Sequence, residues 1–393
     1  MKRIGNIRKK FLTKERIKRI VGYLTRDAKS KHWTKQQRKE WNEFMKNYSE
    51  NVDFLYKSLR YRTHVPGPFK IFEKKEGEKM RKIYASYPVD QIVDTLLNDC
   101  LEYVFIERKK LIPGHCYGSI KNKGQHELRR KIIRKVKGQK EAFVYVGDTS
   151  KYYPTMNHEY LKRILRLHIK DQWMIWLCDI TIDRMPDGKG VALGLPSSNI
   201  LGHVYHSLID WVMISDYGFK DYYRFCDDKY IIDTDKNYLH TGARALSCEV
   251  QKAGQTIKHT WRIVNCRHQY FDCLGALINS RTARLRPSSR RKMERHMLKL
   301  QRKPYNPQEC LRAWSGMKGS LRNLNVGGLL VIWKDRYEEF FRRVTCGYRE
   351  LAYERYRKRK HKRIERILTK AIDCRTIKID FNEQPIDDKG SVA

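Results

Sequence analysis

Three aspartates stand at the ends of apolar runs, where their side chains could hold metal ions. Asp148 follows the run 144–147, and Asp227 and Asp228 interrupt the apolar and aromatic residues of 222–232. Runs of this composition predict buried strands, the second as a hairpin. A buried carboxylate is unfavourable unless a cation neutralises it, so three together predict an oxygen-ligand site for hard divalent ions such as Mg²⁺. Two such ions activate an attacking hydroxyl and stabilise a leaving phosphate; a solvated Asp-Asp turn is the alternative.

The charge balance indicates a polyanionic partner. The 393 residues include 83 Lys and Arg against 44 Asp and Glu, a net charge of +39. A surplus of this size favours nucleic acid as the partner, with a membrane surface as the alternative. The sequence has no apolar run of about eighteen residues and no signal-peptide pattern, which argues against a membrane. Its ten cysteines include no C-x-x-C pair, so we expect no zinc site, no disulfide framework and a reducing cytoplasm.

Turn residues and hydrophobic spacing divide the chain ahead of the first aspartate. Residues 1–65 predict a basic, mostly helical extension that ends at the proline-glycine break 65–68. Short strands are predicted at 69–72 and 80–85, joined by a loop at 73–78. This basic hairpin could close over a triphosphate through Lys75 and Arg81, or it could be an ordinary surface hairpin.

Helices dominate the predicted elements that follow. A helix over 89–111 precedes a basic helix carrying Arg129 and Arg130, which we interpret as contacts to nucleic-acid phosphates; an exposed helix face is the alternative. After Asp148 we predict helices at 157–167, 172–182, 200–214 and 243–253, a turn at 187–190 and a strand hairpin at 270–278. Glycine and proline before the helix at 200 let the backbone approach a ligand closely.

The C-terminal part is strongly basic. Residues 281–304 contain ten Lys or Arg and one Glu, and 355–370 contain nine Lys or Arg and one Glu. We predict helical segments that grip a nucleic-acid duplex, with Arg290, Arg291 and Arg295 among the phosphate contacts. Solvated helix faces are the alternative. The tail 371–393 is predicted to be flexible.

The order of these motifs resembles the palm of reverse transcriptases. A strand ending in aspartate, a glycine-rich turn into a helix, an Asp-Asp hairpin and a Phe-x-x-Leu-Gly hairpin follow one another between about residues 68 and 300. The resemblance is closest to the bacterial non-LTR enzymes of group II introns, retrons, diversity-generating retroelements and defence systems. It implies an α+β right-hand polymerase, with an antiparallel palm sheet and a helical thumb. The implied divisions are an N-terminal extension at 1–65, fingers at 66–147, a palm at 148–280, a thumb at 281–370 and the tail at 371–393.

The resemblance also implies roles for individual residues. Asp148 and Asp227 match the metal-binding catalytic aspartates and Asp228 the supporting carboxylate, for two Mg²⁺ ions with Mn²⁺ as an alternative. Tyr153 matches the aromatic residue that excludes a ribose 2′-hydroxyl, and Lys258 the group that protonates pyrophosphate. The implied nucleotide contacts are Lys75, Arg81, Tyr153, Gly194, Pro196 and Ser197, with Lys74 or Lys79 as substitutes in the hairpin. The implied primer grip is Phe271, Leu274 and Gly275.

Three places depart from the family pattern. The segment Ser197–His203 stands where most bacterial enzymes have Gln-Gly and a later Ser-Pro or Ser-Gln. In addition, Phe225 and Cys226 replace Tyr-Ala, and Gln91 replaces the Arg of an Asp-Arg pair. The aspartates are intact, so the departures bear on template handling, fidelity and subclass rather than on polymerisation.

The function implied is an RNA-directed DNA polymerase of the bacterial cytoplasm. It would copy a dedicated RNA template into cDNA from dNTPs, within a diversity-generating retroelement, with an accessory protein and no membrane. A defence-associated enzyme copying a noncoding RNA and a catalytically idle RNA-binding protein are the alternatives. An RNA-synthesising polymerase would not need the aromatic residue at Tyr153.

Overall fold

The first of two compact units holds all the strands that surround the three aspartates. The structure, a computed structural model, describes residues 3–28, 33–76, 79–139 and 141–376. The chain is α+β, and its two units are Met1–Arg284 and Leu285–Ala393. The predicted beginning of the thumb, residue 281, lies close to this division. No helix in the described ranges has the length and apolar character needed to cross a membrane.

The N-terminal region is helical, as its sequence predicts. Its helices are α1 (Ile7–Phe11), α2 (Lys14–Ala28), α3 (Lys35–Lys46) and α4 (Tyr48–Arg60). Apolar side chains such as Ile17 and Trp41 are buried in one core with Leu96 of α5 (Pro88–Leu101). The N-terminal helices are therefore an integral part of the first unit.

A two-stranded hairpin connects these helices to α5. Strands β1 (Lys70–Glu76) and β2 (Lys79–Ala85) pair antiparallel. The prediction of a loop at 73–78 is wrong for 73–76, which continue β1; residues 77–78 lie outside the described ranges. In the longer strand Glu73 lies opposite Lys82, an attractive pair, whereas Lys74 lies opposite Arg81, a pair of like charge.

A four-stranded antiparallel sheet carries the aspartates. Its strands, in spatial order, are β4 (Tyr222–Phe225), β5 (Asp228–Asp233), β3 (Phe143–Asp148) and β6 (Arg262–Asn265). The helices around it are α6 (Gln125–Val136), α7 (His158–His168), α8 (Gln172–Ile182), α9 (Pro196–Trp211) and α10 (Lys236–Lys252). A second sheet contains β7 (Phe271–Cys273), β8 (Ala276–Ile278) and β9 (Ala283–Leu285).

Several helix ends differ from the predicted ones for local reasons. Helix α5 continues as π-helix over Glu102–Arg108, and α9 as π-helix over Val212–Asp216. Helix α9 begins at Pro196 because proline suits the first helical turn. Helix α10 begins seven residues before the predicted 243, because Asp235 accepts hydrogen bonds from two backbone N–H groups of its first turn.

The second unit is helical, as predicted. It contains α11 (Pro287–Arg302), α12 (Pro307–Leu321), α13 (Gly327–Arg336) and α14 (Glu338–Thr376) around a core that includes Met297, Trp333 and Phe340. Helix α14 continues through residues 371–376, the beginning of the tail that the sequence predicts to be flexible. Residues 377–393 lie outside the described ranges.

Candidate active site

The sheet brings the backbones of the three aspartates together. Asp148 ends β3, Asp228 begins β5, and the two are register partners. Directly opposite residues of an antiparallel pair project from the same face, with Cβ atoms roughly 5 Å apart. Thr149 N donates to the carbonyl of Asp227 at 3.1 Å, which holds the turn beside the end of β3. The sequence-predicted trio therefore shares one end of the sheet.

The turn between β4 and β5 is braced from one side. Cys226 has a left-handed backbone, with φ of +53°. A side-chain carbon at Gly118 would overlap Cys226 Sγ, so only glycine allows this segment to lie so close. Tyr117 N donates to Arg224 O at 2.9 Å, which continues the contact along β4.

A fully buried polar cluster lies under the turn, and local sequence patterns do not reveal it. Arg224 donates to both carboxylate oxygens of Asp210, at 2.7–3.0 Å, and Tyr222 Oη donates to the same carboxylate at 2.7 Å. Neither charged side chain is exposed. Burial opposes ionisation of Asp210, but Arg224 and the hydrogen bonds hold its pKa below the usual value. Arg224 Nη1 also donates to Cys226 O at 3.2 Å, which ties the cluster to the turn.

Lys229 supports the turn from inside the unit. Its side chain is buried, and Nζ donates to Thr149 Oγ1 at 2.5 Å and to Asp227 O at 3.2 Å. Burial, assisted by the charge of Arg224, lowers the pKa of Lys229 to about 8. Lys229 therefore links the backbone of Asp227 to the side chain of Thr149, the residue that follows Asp148.

Lys258, the predicted proton donor, lies at the site. Its ammonium forms an ion pair with the Asp148 carboxylate, and Lys258 N donates to Asp148 O at 2.9 Å. Within the described ranges, no three His, Cys, Asp or Glu side chains are gathered to hold a metal. Carboxylate oxygens are nevertheless the ligand type that hard divalent cations prefer. Lys258 contacts one oxygen of Asp148, Oδ2, and would compete with a cation for that oxygen.

Tyr153 contacts α9 and the neighbouring Tyr152. Its hydroxyl donates to Asn199 Oδ1 at 2.8 Å, and its partly buried ring stands edge-on to Tyr152 with centroids 5.0 Å apart. Burial raises the pKa of the hydroxyl; Asp227 adds to the rise and Arg81 opposes it.

The glycine turn packs against β2. Gly194 has φ of +125°, and an added Cβ would lie 2.7 Å from Tyr84 O and 3.1 Å from Ile83 Cγ2. Only glycine fits this position. Pro196 is exposed, but Ser197 is fully buried at the start of α9, so the structure does not present it to a nucleotide as predicted.

The hairpin register revises the predicted pair of triphosphate contacts. Lys74 is opposite Arg81, whereas Lys75 is opposite Met80. Since neighbouring residues project from opposite faces of a strand, Lys75 and Arg81 do not share a face. Ile83 lies two residues after Arg81 and contacts the Gly194 turn. Lys74 therefore shares a face of the hairpin with Arg81, whereas the side chain of Lys79, the other predicted substitute, lies outside the described residues.

The predicted primer grip forms a tight hairpin. Leu274 and Gly275 both have positive φ, at 50° and 86°, as the two-residue turns of such hairpins require. Phe271 is fully buried, while Leu274 and Gly275 are partly exposed. Strand β7 contacts β3, so the hairpin lies along the strand that ends in Asp148.

The predicted phosphate contacts separate into buried and exposed groups. Arg129 is 2% exposed, and its Nη2 lies 2.6 Å from His126 Nδ1, so the prediction that it contacts phosphate is wrong. It faces inward because α6 buries the stripe that also contains Leu128 and Ile132. Exposed arginines are Arg130, which pairs with Glu127, and Arg291 and Arg295 of α11; Arg290 is half-buried and pairs with Glu294.

The candidate site combines strand-end carboxylates, a lysine, a partly buried tyrosine and a basic hairpin. No protein-family model and no curated protein matches this chain significantly. A functional assignment therefore depends on the site's geometry and on the motif resemblance.

Proposed function

We propose that the protein is an RNA-directed DNA polymerase with the right-hand fold of reverse transcriptases. Fingers at 66–147, a palm at 148–280 and a thumb at 281–370 are part of this proposal. The observation that carries it is the register pairing of Asp148 with Asp228, with Asp227 bonded alongside. A strand end and a hairpin turn thereby supply the carboxylates that nucleotidyl transfer needs.

Asp148 and Asp227 are the proposed metal ligands, with Asp228 in support. The chemistry supplied by two bound Mg²⁺ ions, or by Mn²⁺ in their place, is activation of the attacking hydroxyl and stabilisation of the leaving phosphate. Lys258, which contacts Asp148, would donate a proton to the leaving pyrophosphate. In this proposal the aspartates hold the ions, and Lys258 supplies the proton for the leaving pyrophosphate.

The other site residues select and hold the nucleotide. Lys74 and Arg81 share the hairpin face toward the Gly194 turn and would bind the triphosphate. Tyr153, held by Asn199, would occupy the space of a ribose 2′-hydroxyl. The template RNA and the cDNA would be held through phosphate contacts by exposed residues such as Arg130, Arg291 and Arg295. The proposed setting is a bacterial diversity-generating retroelement with an accessory protein, or a defence system with a noncoding RNA.

Primer extension on an RNA template tests the proposal. Asp148→Asn and Asp227→Asn should each lower DNA synthesis by at least roughly a hundredfold, because each removes charge that stabilises the transition state. RNA affinity should remain near that of the wild type. The matched control is Asp187→Asn, at an exposed turn with φ of +62° that asparagine tolerates. Undiminished synthesis by either site variant contradicts the proposal.

A nucleic-acid-binding protein without catalysis is the second candidate. The observation that favours it is the pairing of Asp148 with Lys258, which neutralises a proposed metal ligand. The wild-type protein distinguishes the two: the second candidate predicts RNA binding with no primer extension in either Mg²⁺ or Mn²⁺. Extension that depends on either ion excludes it.

A further inference from the structure

An apolar groove runs beside the end of α4. It has a volume of about 850 Å³ and is lined by Phe54, Tyr61 and Val65, among others. These three side chains are 74%, 68% and 84% exposed, against a core in which most large apolar side chains are below 9%. Phe54 lies within α4 and Tyr61 is the C-cap residue directly after it, and both line the groove.

One lysine lines the groove, and two arginines lie next to its lining residues in the chain. Lys57, Arg60 and Arg62 are all exposed within the same stretch as the two rings. The Arg60 guanidinium lies 5.8 Å from the centroid of the Tyr61 ring. Among the described residues that line the groove there is a lysine and no carboxylate. The nearby Asp53 already pairs with Lys14 at 2.8 Å. Residues 50–62 also include the exposed Glu50, so this stretch has three cations against two carboxylates, one of which is already paired, and its positive net charge suits a polyanion.

We propose that this groove binds a single-stranded segment of nucleic acid. Bases stack on Phe54 and Tyr61, and the three cations hold the intervening phosphates. Stacking on aromatic side chains together with a basic rim is the combination that binds unpaired strands without sequence preference. A duplex keeps its bases stacked inside, so the exposed rings have nothing to add to duplex binding. The inference does not need catalysis, and it goes beyond the proposed polymerase activity.

Binding of short oligonucleotides to the full chain tests the groove. The probes are oligouridine RNA, oligothymidine DNA and duplexes of matched length, all at one salt concentration. Phe54→Ser and Tyr61→Ser should each weaken single-strand binding roughly fivefold to a hundredfold. Duplex binding should change by less than about twofold. Phe54→Leu, which keeps apolar area but no ring, should weaken single-strand binding nearly as much as Phe54→Ser. The RNA and DNA arms show which strand the groove prefers.

A matched control and a crosslink locate the effect. Tyr23→Ser removes a tyrosine of α2 that is 57% exposed and does not line the groove, and it should leave both kinds of binding unchanged. Oligouridine carrying 4-thiouridine should crosslink to the peptide that contains Phe54 or Tyr61. The proposal is overturned if the ring variants bind single strands as the wild type does. It is also overturned if they lose single-strand and duplex binding equally, or if the groove takes an acidic peptide in preference to the oligonucleotides.

Discussion

Arg224 and Arg291 carry the same guanidinium in opposite surroundings. Arg224 is fully buried in β4, where Asp210 receives three of its hydrogen bonds. Arg291 is exposed on α11. The strand region around the aspartates and the basic helix α11 therefore use positive charge for different purposes. In the strands it fixes the position of a backbone turn; on the helix it remains available to a polyanion outside the protein.

The contrast extends to neighbouring groups. Lys229 is buried against Thr149 and the Asp227 backbone, and Asp148 pairs with Lys258. On α11, Arg295 is exposed, and its guanidinium donates a long hydrogen bond of 3.4 Å to the backbone of its own helix. Desolvated charges need defined partners, whereas solvated ones do not. Buried charge thus fixes the positions of the groups around the aspartates. The exposed arginines of α11 should tolerate substitution with little change in stability.

Breaking the buried pair should have the largest effect on stability. Arg224→Met leaves the Asp210 carboxylate buried without its cation, and it should cost about 3–5 kcal/mol of unfolding free energy in urea titrations. Arg291→Met is the exposed counterpart and should change stability by less than about 0.5 kcal/mol. The double variant Arg224→Met, Asp210→Leu should recover much of the lost stability. Equal effects of the two single variants would show that burial does not distinguish these arginines.

The buried carboxyl group of Asp94 should make the stability of the protein depend on pH. Asp94 accepts a hydrogen bond from Ser86 at 2.7 Å, and burial raises its pKa from 3.8 to about 6. Because the folded-state pKa is raised, its contribution is fully present below about pH 4 and is lost as the pH rises through about 6, on the order of 3 kcal/mol. Asp94→Asn should therefore gain relative stability over this interval. The exposed Asp187→Asn is the control, and parallel profiles for wild type and Asp94→Asn would contradict the prediction.

Local signals account for the elements that the sequence predicts well. Helices α7 and α8 begin where Asn157 and Asp171 cap them by accepting backbone hydrogen bonds. The carboxylate strands are recognisable because apolar runs end at an acidic residue. These signals act over a few residues, so no tertiary information is needed to use them.

Long-range pairing explains what the sequence does not reveal. Arg129 appears in a basic run, yet packing of α6 buries it. Lys258 is 110 residues from its partner Asp148, and the burial of Arg224 depends on Asp210 in a different element. Which of Lys74 and Lys75 shares a face with Arg81 depends on the register with β2. Periodicity within one element cannot specify such partners.

Substitutions of Tyr153 test whether its ring selects deoxynucleotides over ribonucleotides. Tyr153→Val removes the ring and should reduce discrimination against ribonucleotides by roughly 10- to 100-fold, a reduction about equal to other steric selections in pockets. Tyr153→Phe is the control: it keeps the ring and removes only the hydrogen bond to Asn199. Single-nucleotide primer extension with dNTP and rNTP measures both. Unchanged discrimination in Tyr153→Val would assign the ring to core packing alone.

The smallest effect on stability is expected on α11, where binding should change instead. Replacing Arg291 and Arg295 with Gln should shift unfolding free energy by less than about 0.5 kcal/mol, because both side chains are exposed. An arginine that no longer neutralises a phosphate releases no counterion, so the slope of log affinity against log salt should fall by about 0.9 per arginine on a duplex.

The matched control for this pair of substitutions is Arg290→Gln. Arg290 pairs with Glu294 at 2.8 Å, and that carboxylate also accepts a hydrogen bond from Trp333, so this variant should lower stability with little change in the salt slope. A scrambled RNA should lose affinity as much as any other, since phosphate contacts do not read sequence. If the double variant keeps the wild-type slope, the exposed charges of α11 do not touch nucleic acid.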